Sequence, residues 1–93
     1  MKTLHFVGNS RANLKSFPNV AKEKFGYALY EAQLGNTTFH VKPLKGFGGA
    51  SVLEIMEDCD GSTYRAVYTV KFINTVYVLH CFQKKSKKGI ATP

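Results

Sequence analysis

The feature that most restricts what this chain can fold into is the dipeptide Asp60-Gly61, set between two runs rich in β-branched and aromatic residues, 51–59 and 62–73. A two-residue hairpin turn of type I′ needs positive φ at both central positions. Aspartate tolerates that region and glycine enters it freely, so the dipeptide predicts an antiparallel hairpin with Cys59 and Ser62 as partners. Met56 then lies opposite Arg65. A third run of the same character, 75–83, predicts another antiparallel strand, and a two-residue turn at Asn74-Thr75 pairs Ile73 with Val76. In that register Val67 faces Phe82 and Arg65 faces Lys84.

Side chains alternate across a strand, so the pairing divides the sheet into two faces. One carries Leu53, Ile55, Tyr64, Ala66, Tyr68, Val70, Phe72, Tyr77, Leu79 and Cys81, the expected core. The other carries Glu54, Met56, Arg65, Val67, Thr69, Lys71, Val78, His80, Phe82 and Lys84. Like charges directly opposite each other on antiparallel strands oppose folding by about 0.2–1 kcal/mol. Arg65 against Lys84 therefore predicts an anion between them, or a bridge from Glu54.

Upstream, TLHFVG reads as a short strand closed by Gly8, and Asn9 or Ser10 is placed to cap a short helix over 11–17. Pro18 suits a helical first turn. Ala21, Phe25, Ala28, Leu29 and Ala32 follow one helical stripe, and Gly35 is placed to end it. The aromatics Phe25, Tyr27 and Tyr30 read as packing groups, because a helix of this length persists by burying a face. In HVKPLKGFGGA, Pro43 and the glycines interrupt any regular element, and the segment matches neither phosphate-loop fingerprint.

The expected fold class is α+β, with two N-terminal helices packed on one face of a small antiparallel sheet. Ninety-three residues suit one domain, 1–93, with a basic tail from about residue 85. The formal charge of +7 favours a polyanionic partner, and its distribution is uneven: every ionised side chain from Arg65 onward is basic. Cys59 and Cys81 match no metal-ligand spacing and read as reduced thiols of a cytoplasmic protein. No run has signal-peptide or membrane-span character, and no cofactor motif is present.

The second face holds the chemistry. An imidazole, His80, beside cations and a stackable ring, Phe82, suits proton transfer on a phosphate ester. The segments FPNVAKEKFGYALYEAQLG, VKPLKGFGG, VLEIMED, YRAVYTVKF and VYVLHCFQKKSKKGIATP, spanning residues 17–93, resemble the phage-derived, HigB-like branch of the RelE/ParE toxin superfamily. That resemblance implies a compact RelE-like fold with helices on an antiparallel sheet. It also implies the toxin of a type II toxin–antitoxin system, a metal-independent endoribonuclease that cuts translated mRNA on the ribosome and is neutralised by a helix-turn-helix, HigA-like antitoxin.

Carried over by position, Arg65 in YRAVY corresponds to the arginine set against the scissile phosphate. Lys42 and Lys45 correspond to a basic RNA-contacting loop, Lys45 as a catalytic cation. His80 takes proton transfer and Lys84 phosphate binding, Phe82 stacks on a base or packs, and Glu54 serves as base or orients Arg65. Lys85, Lys87 and Lys88 attract RNA or form a solvated tail. Relatives often carry Glu-Leu-Arg where this chain has Glu54-Ile55-Met56, so a methionine stands where a second arginine is expected. Two further functions stay open: a non-catalytic RNA-binding or regulatory module, which Met56 favours, and a ParE-like gyrase inhibitor, which needs no proton-transfer group.

Overall fold

The computed structural model describes residues 1–46 and 51–85, and in them the elements run β1 (Thr3–Phe6), α1 (Ser10–Lys15), α2 (Asn19–Gln33), β2 (Val41–Pro43), β3 (Val52–Cys59), β4 (Ser62–Thr69) and β5 (Thr75–Lys85). The strands form one five-stranded sheet in the order β1-β5-β4-β3-β2. No helix among the described residues is long and apolar enough to cross a membrane.

The class is α+β, but a small antiparallel sheet of RelE-like description is not what forms. β1 lies parallel to β5, with Leu4 level with Val76 and Phe6 with Val78, so the sheet is mixed. β2 adds a fifth strand inside the segment expected to be irregular, pairing Lys42 with Glu54. Pro43 is tolerated because β2 is an edge strand, where a missing N–H leaves no neighbour unpaired. The parallel pairing had no local signal, since β1 and β5 are joined only by folding of everything between them.

The hairpin at Asp60-Gly61 forms as expected. Both turn residues have positive φ, 49° and 82°, and Cys59 pairs with Ser62 and Met56 with Arg65. The next connection differs. β4 ends at Thr69 and β5 begins at Thr75, so the link is residues 70–74, an odd number, and Thr69 pairs with Tyr77. An odd link reverses the parity of the returning strand: Val76 and Val78 are fully buried and Tyr77 faces the other way. The ladder then slips between Val67 and Tyr68, which pair with His80 and Val78, leaving Leu79 as the extra residue of a β-bulge. The bulge restores the expected parity for His80, Cys81 and Phe82. Arg65 consequently faces Phe82, and Lys84 faces Thr63. The expected opposition of Arg65 and Lys84 does not occur.

Helix α2 forms where its stripe predicts. Ala21, Phe25, Ala28, Leu29 and Ala32 are all buried against Leu53, Ile55, Ala66 and Tyr68. Its end is a Schellman turn: the Gly35 N–H donates to the Ala32 carbonyl and the Asn36 N–H to that of Glu31, with Gly35 at φ 88°. Helix α1 lies along β5 and straddles the bulge. Ser10 Oγ donates to the Val78 carbonyl at 3.1 Å, and Asn13 Nδ2 to the Cys81 carbonyl at 3.1 Å. The Val78 carbonyl also accepts the Val7 N–H at 2.8 Å, where the β1 pairing ends, and α1 continues the cover of β5 from there to Cys81.

Candidate functional site

The sheet face away from the helices is organised in lateral rows. One row runs Lys42, Glu54, Val67, His80; the next runs Met56, Arg65, Phe82; a third runs Asp58, Thr63, Lys84. Each follows from strand pairing, because residues directly opposite each other point to the same face. Adjacent strands lie about 4.8 Å apart, which sets Glu54 and His80, two strands apart, at roughly 10 Å between backbones. Arg65 stands one row along, on the strand between them.

Arg65 is held by Glu54. Its Nη1 lies 3.3 Å from both carboxylate oxygens, and the two side chains are 25% and 12% exposed. One nitrogen shared by two oxygens is not the two-pronged fork of the strongest arginine–carboxylate pairs. Arg65 Nε, although buried, meets no partner among the described residues. The guanidinium is thus positioned by its carboxylate and keeps donor capacity for a second anion. Met56 sits directly across from it, as the hairpin register required, and supplies no charge.

His80 and Phe82 stack with ring centroids 4.9 Å apart and planes at 23°. They line a groove of about 290 Å³ along the edge of β5, with Asn13, Ser16 and Gln83. Arg65 opens onto a different groove, of about 430 Å³, at the β3 edge, where β2 ends.

Of the expected residues, the rows bring together Arg65, Glu54, His80, Phe82, Lys42 and Lys84. Lys45 is not among them. It follows β2 on the side of Leu53 and Val52, away from the row that holds Arg65. Lys85 lies in β5, and Lys87 and Lys88 fall outside the described residues.

Two residues escaped sequence reasoning. The His40 carbonyl accepts the Met56 N–H at 3.1 Å, extending the β2–β3 ladder into the Arg65 row, and His40 lines the Arg65 groove together with Lys24. Its position two residues before Lys42 carried that signal, had β2 been read as a strand. Tyr77 is the other, turned onto this face by the odd link.

Beneath the face, burial pushes the Cys81 thiol up to about 11 and the Tyr68 hydroxyl up to about 12. Both groups are neutral at physiological pH and serve as packing.

Residues 12–93 match the family described as Phage derived protein Gp49-like (DUF891). A search of curated proteins and a search of solved structures each returned no match. The family match takes in α2 and the strands β2 to β5 that build the Arg65 face, and the chain belongs to the Gp49-like family of phage-derived proteins.

Proposed function

We propose that this chain is the toxin, of HigB-like kind, of a type II toxin–antitoxin pair, and that it inhibits translation by cutting ribosome-bound mRNA. The observation that carries this reading is the placement of a carboxylate, Glu54, and an imidazole, His80, in one row of the open face, with Arg65 on the strand between them.

Cleavage of RNA by its own 2′-hydroxyl needs a base on one side of the phosphorus and an acid on the other, with a cation for the charge that builds between them. Glu54 takes the proton from the 2′-hydroxyl, the 2′-oxygen forms its bond to phosphorus, and the bond to the 5′-oxygen breaks. His80, protonated, delivers a proton to that leaving oxygen. The products are a 2′,3′-cyclic phosphate and a free 5′-hydroxyl. Arg65 stabilises the phosphorane charge, and a phosphate arriving there draws the guanidinium away from Glu54, releasing the carboxylate for its work as base. Phe82, stacked on His80, offers a ring to a neighbouring base, while Lys84 and Lys42 attract the backbone from either side. The partner that neutralises the toxin is a helix-turn-helix, HigA-like antitoxin.

A non-catalytic RNA-binding module is the second reading. Met56 opposite Arg65, and the Glu54 carboxylate already on the guanidinium, favour it.

Induced expression of the wild type beside Arg65→Ala and His80→Ala, with mapping of mRNA 5′ ends, separates these. The nuclease reading expects new 5′-hydroxyl ends in the wild type and their loss, by about a hundredfold or more, in Arg65→Ala. Growth arrest without new ends sinks it, and equal cleavage by both variants sinks the assigned residues.

A further inference from the structure

The odd link 70–74 turns Tyr77 out of the core, and on the open face its ring meets two others edge-on: His5, at 5.4 Å, and Phe72, at 5.1 Å. Phe72 is 47% exposed, and Lys71 Nζ lies 5.8 Å from its ring centroid. His5 reaches this face because it pairs with Tyr77 in the parallel β1–β5 ladder, while its neighbours Leu4 and Phe6 pack toward the core. Three rings and an ammonium therefore gather at one end of β5. Tyr77, at their centre, shares a face and a strand with the His80–Phe82 stack, three residues on, or roughly 10 Å.

Charge on this half of the sheet has one sign. All six side-chain carboxylates fall within residues 23–60, so the segments 1–22 and 61–85, which hold β1, β4 and β5, carry cations only: Lys2 just before β1, Lys71 in the link 70–74, Lys84 in β5, and Arg65 in β4, which Glu54 of β3 pairs. Two groups of rings in line along a strand, with cations beside them and the sheet's carboxylates confined to β3, match the needs of single-stranded nucleic acid. Each base has a face to stack and each phosphate seeks positive charge.

We propose that His5, Phe72 and Tyr77, with Lys71, form a second base-stacking subsite for single-stranded RNA, collinear with His80 and Phe82 along β5. The inference rests on RNA being the ligand of the Arg65 face and deepens that reading: the subsite holds the strand that runs past the scissile phosphate, so affinity grows with RNA length. An apolar protein segment would be served by the rings but gains nothing from the all-cationic surround, whereas a polyanion uses both.

The test is fluorescence anisotropy with a labelled eight-nucleotide and a labelled three-nucleotide oligouridylate, on the wild type, Phe72→Ala, Tyr77→Val and Lys71→Gln, each checked by thermal unfolding. Phe72→Ala and Tyr77→Val are each expected to weaken binding of the longer RNA by about tenfold and to remove most of its advantage over the shorter. Valine keeps the strand preference at Tyr77, and Phe72 lies outside the strands, so the test survives if one variant is lost. Inorganic polyphosphate, charged but without bases, is expected to feel Lys71→Gln and to ignore Phe72→Ala. The subsite is overturned if Arg65→Ala weakens the longer RNA while neither ring substitution does, which includes the case of a protein seated on these rings. It stands, on a binding module instead of a nuclease, if no mRNA ends are produced yet both ring substitutions weaken RNA. If the wild type binds neither oligonucleotide, the subsite falls together with the RNA reading.

Discussion

The two faces of the sheet obey different physics. On the covered face Phe25, Tyr68, Val76 and Val78 are fully buried and one demand governs, the removal of apolar surface from water. On the open face Arg65 is tied to Glu54, His80 to Phe82 and His5 to Tyr77, through pairs that leave charge and ring surface in reach of solvent. The same strand, β5, serves both, and Leu79 at the bulge is where its sides are reassigned. One residue of mismatch keeps Val78 and Cys81 both in the core, although an unbroken alternation would send one of them out. The contrast teaches that the composition of the open face is a consequence of packing the covered one.

The bluntest way to break that contrast is to place a charge on the covered side of β5 by Val78→Asp. Val78 is fully buried beside Val76 and Cys81, so a carboxylate without a partner there is expected to abolish the cooperative thermal transition. A Val78→Asp variant that melts normally and still binds RNA would show that packing of the covered side does not hold the faces apart. Next in size, Phe25→Ala opens a cavity under α2 and is expected to cost about 3–5 kcal/mol by urea denaturation, while the Glu54–Arg65 pair remains.

A pH titration of stability sharpens the comparison from beneath. The Cys81 thiol moves from 9.0 to about 11 and the Tyr68 hydroxyl from 10.0 to about 12, both through burial. The unfolded chain therefore releases these protons first. The stability they contribute is whole below about pH 9 and is lost as pH rises toward 12, on the order of 1–3 kcal/mol for each group. Replacing Cys81 by alanine should remove the earlier part of that alkaline decline, and a decline unchanged in the variant would assign it elsewhere.

The smallest effect sits on the open face. Glu54→Gln releases Arg65, so RNA binding is expected to tighten a few-fold and its salt dependence to steepen by about 0.7 in log–log slope, one phosphate contact. Cleavage should slow in the same variant if the carboxylate is the base. Cleavage at wild-type rate with tighter binding would leave Glu54 only a positioning role.

Much of this was legible in local patterns. Asp60-Gly61 located the hairpin and placed Met56 against Arg65, and the helical stripe named all five buried residues of α2. Those features depend on neighbours a few residues apart, where turn geometry and helical period act directly. The placement of Tyr77 and the pairing of Arg65 with Phe82 were not legible, because they depend on whether a link is odd or even, and 70–74 carries no two-residue turn signal strong enough to say. Nor was the approach of His5 to Tyr77, since β1 and β5 are separated by most of the chain and parallel pairing has no turn to announce it.

By itself, then, the sequence determined the hairpin, the long helix, the charge asymmetry and the set of residues available for chemistry, all properties of short stretches or of composition. Only the tertiary structure decided which of them share a face. It joined Glu54, Arg65, His80 and Phe82, left Lys45 away from the Arg65 row, and brought Tyr77, Phe72 and His5 into line, because strand register is settled by burying Val76, Val78 and Cys81 together and no local preference encodes that requirement.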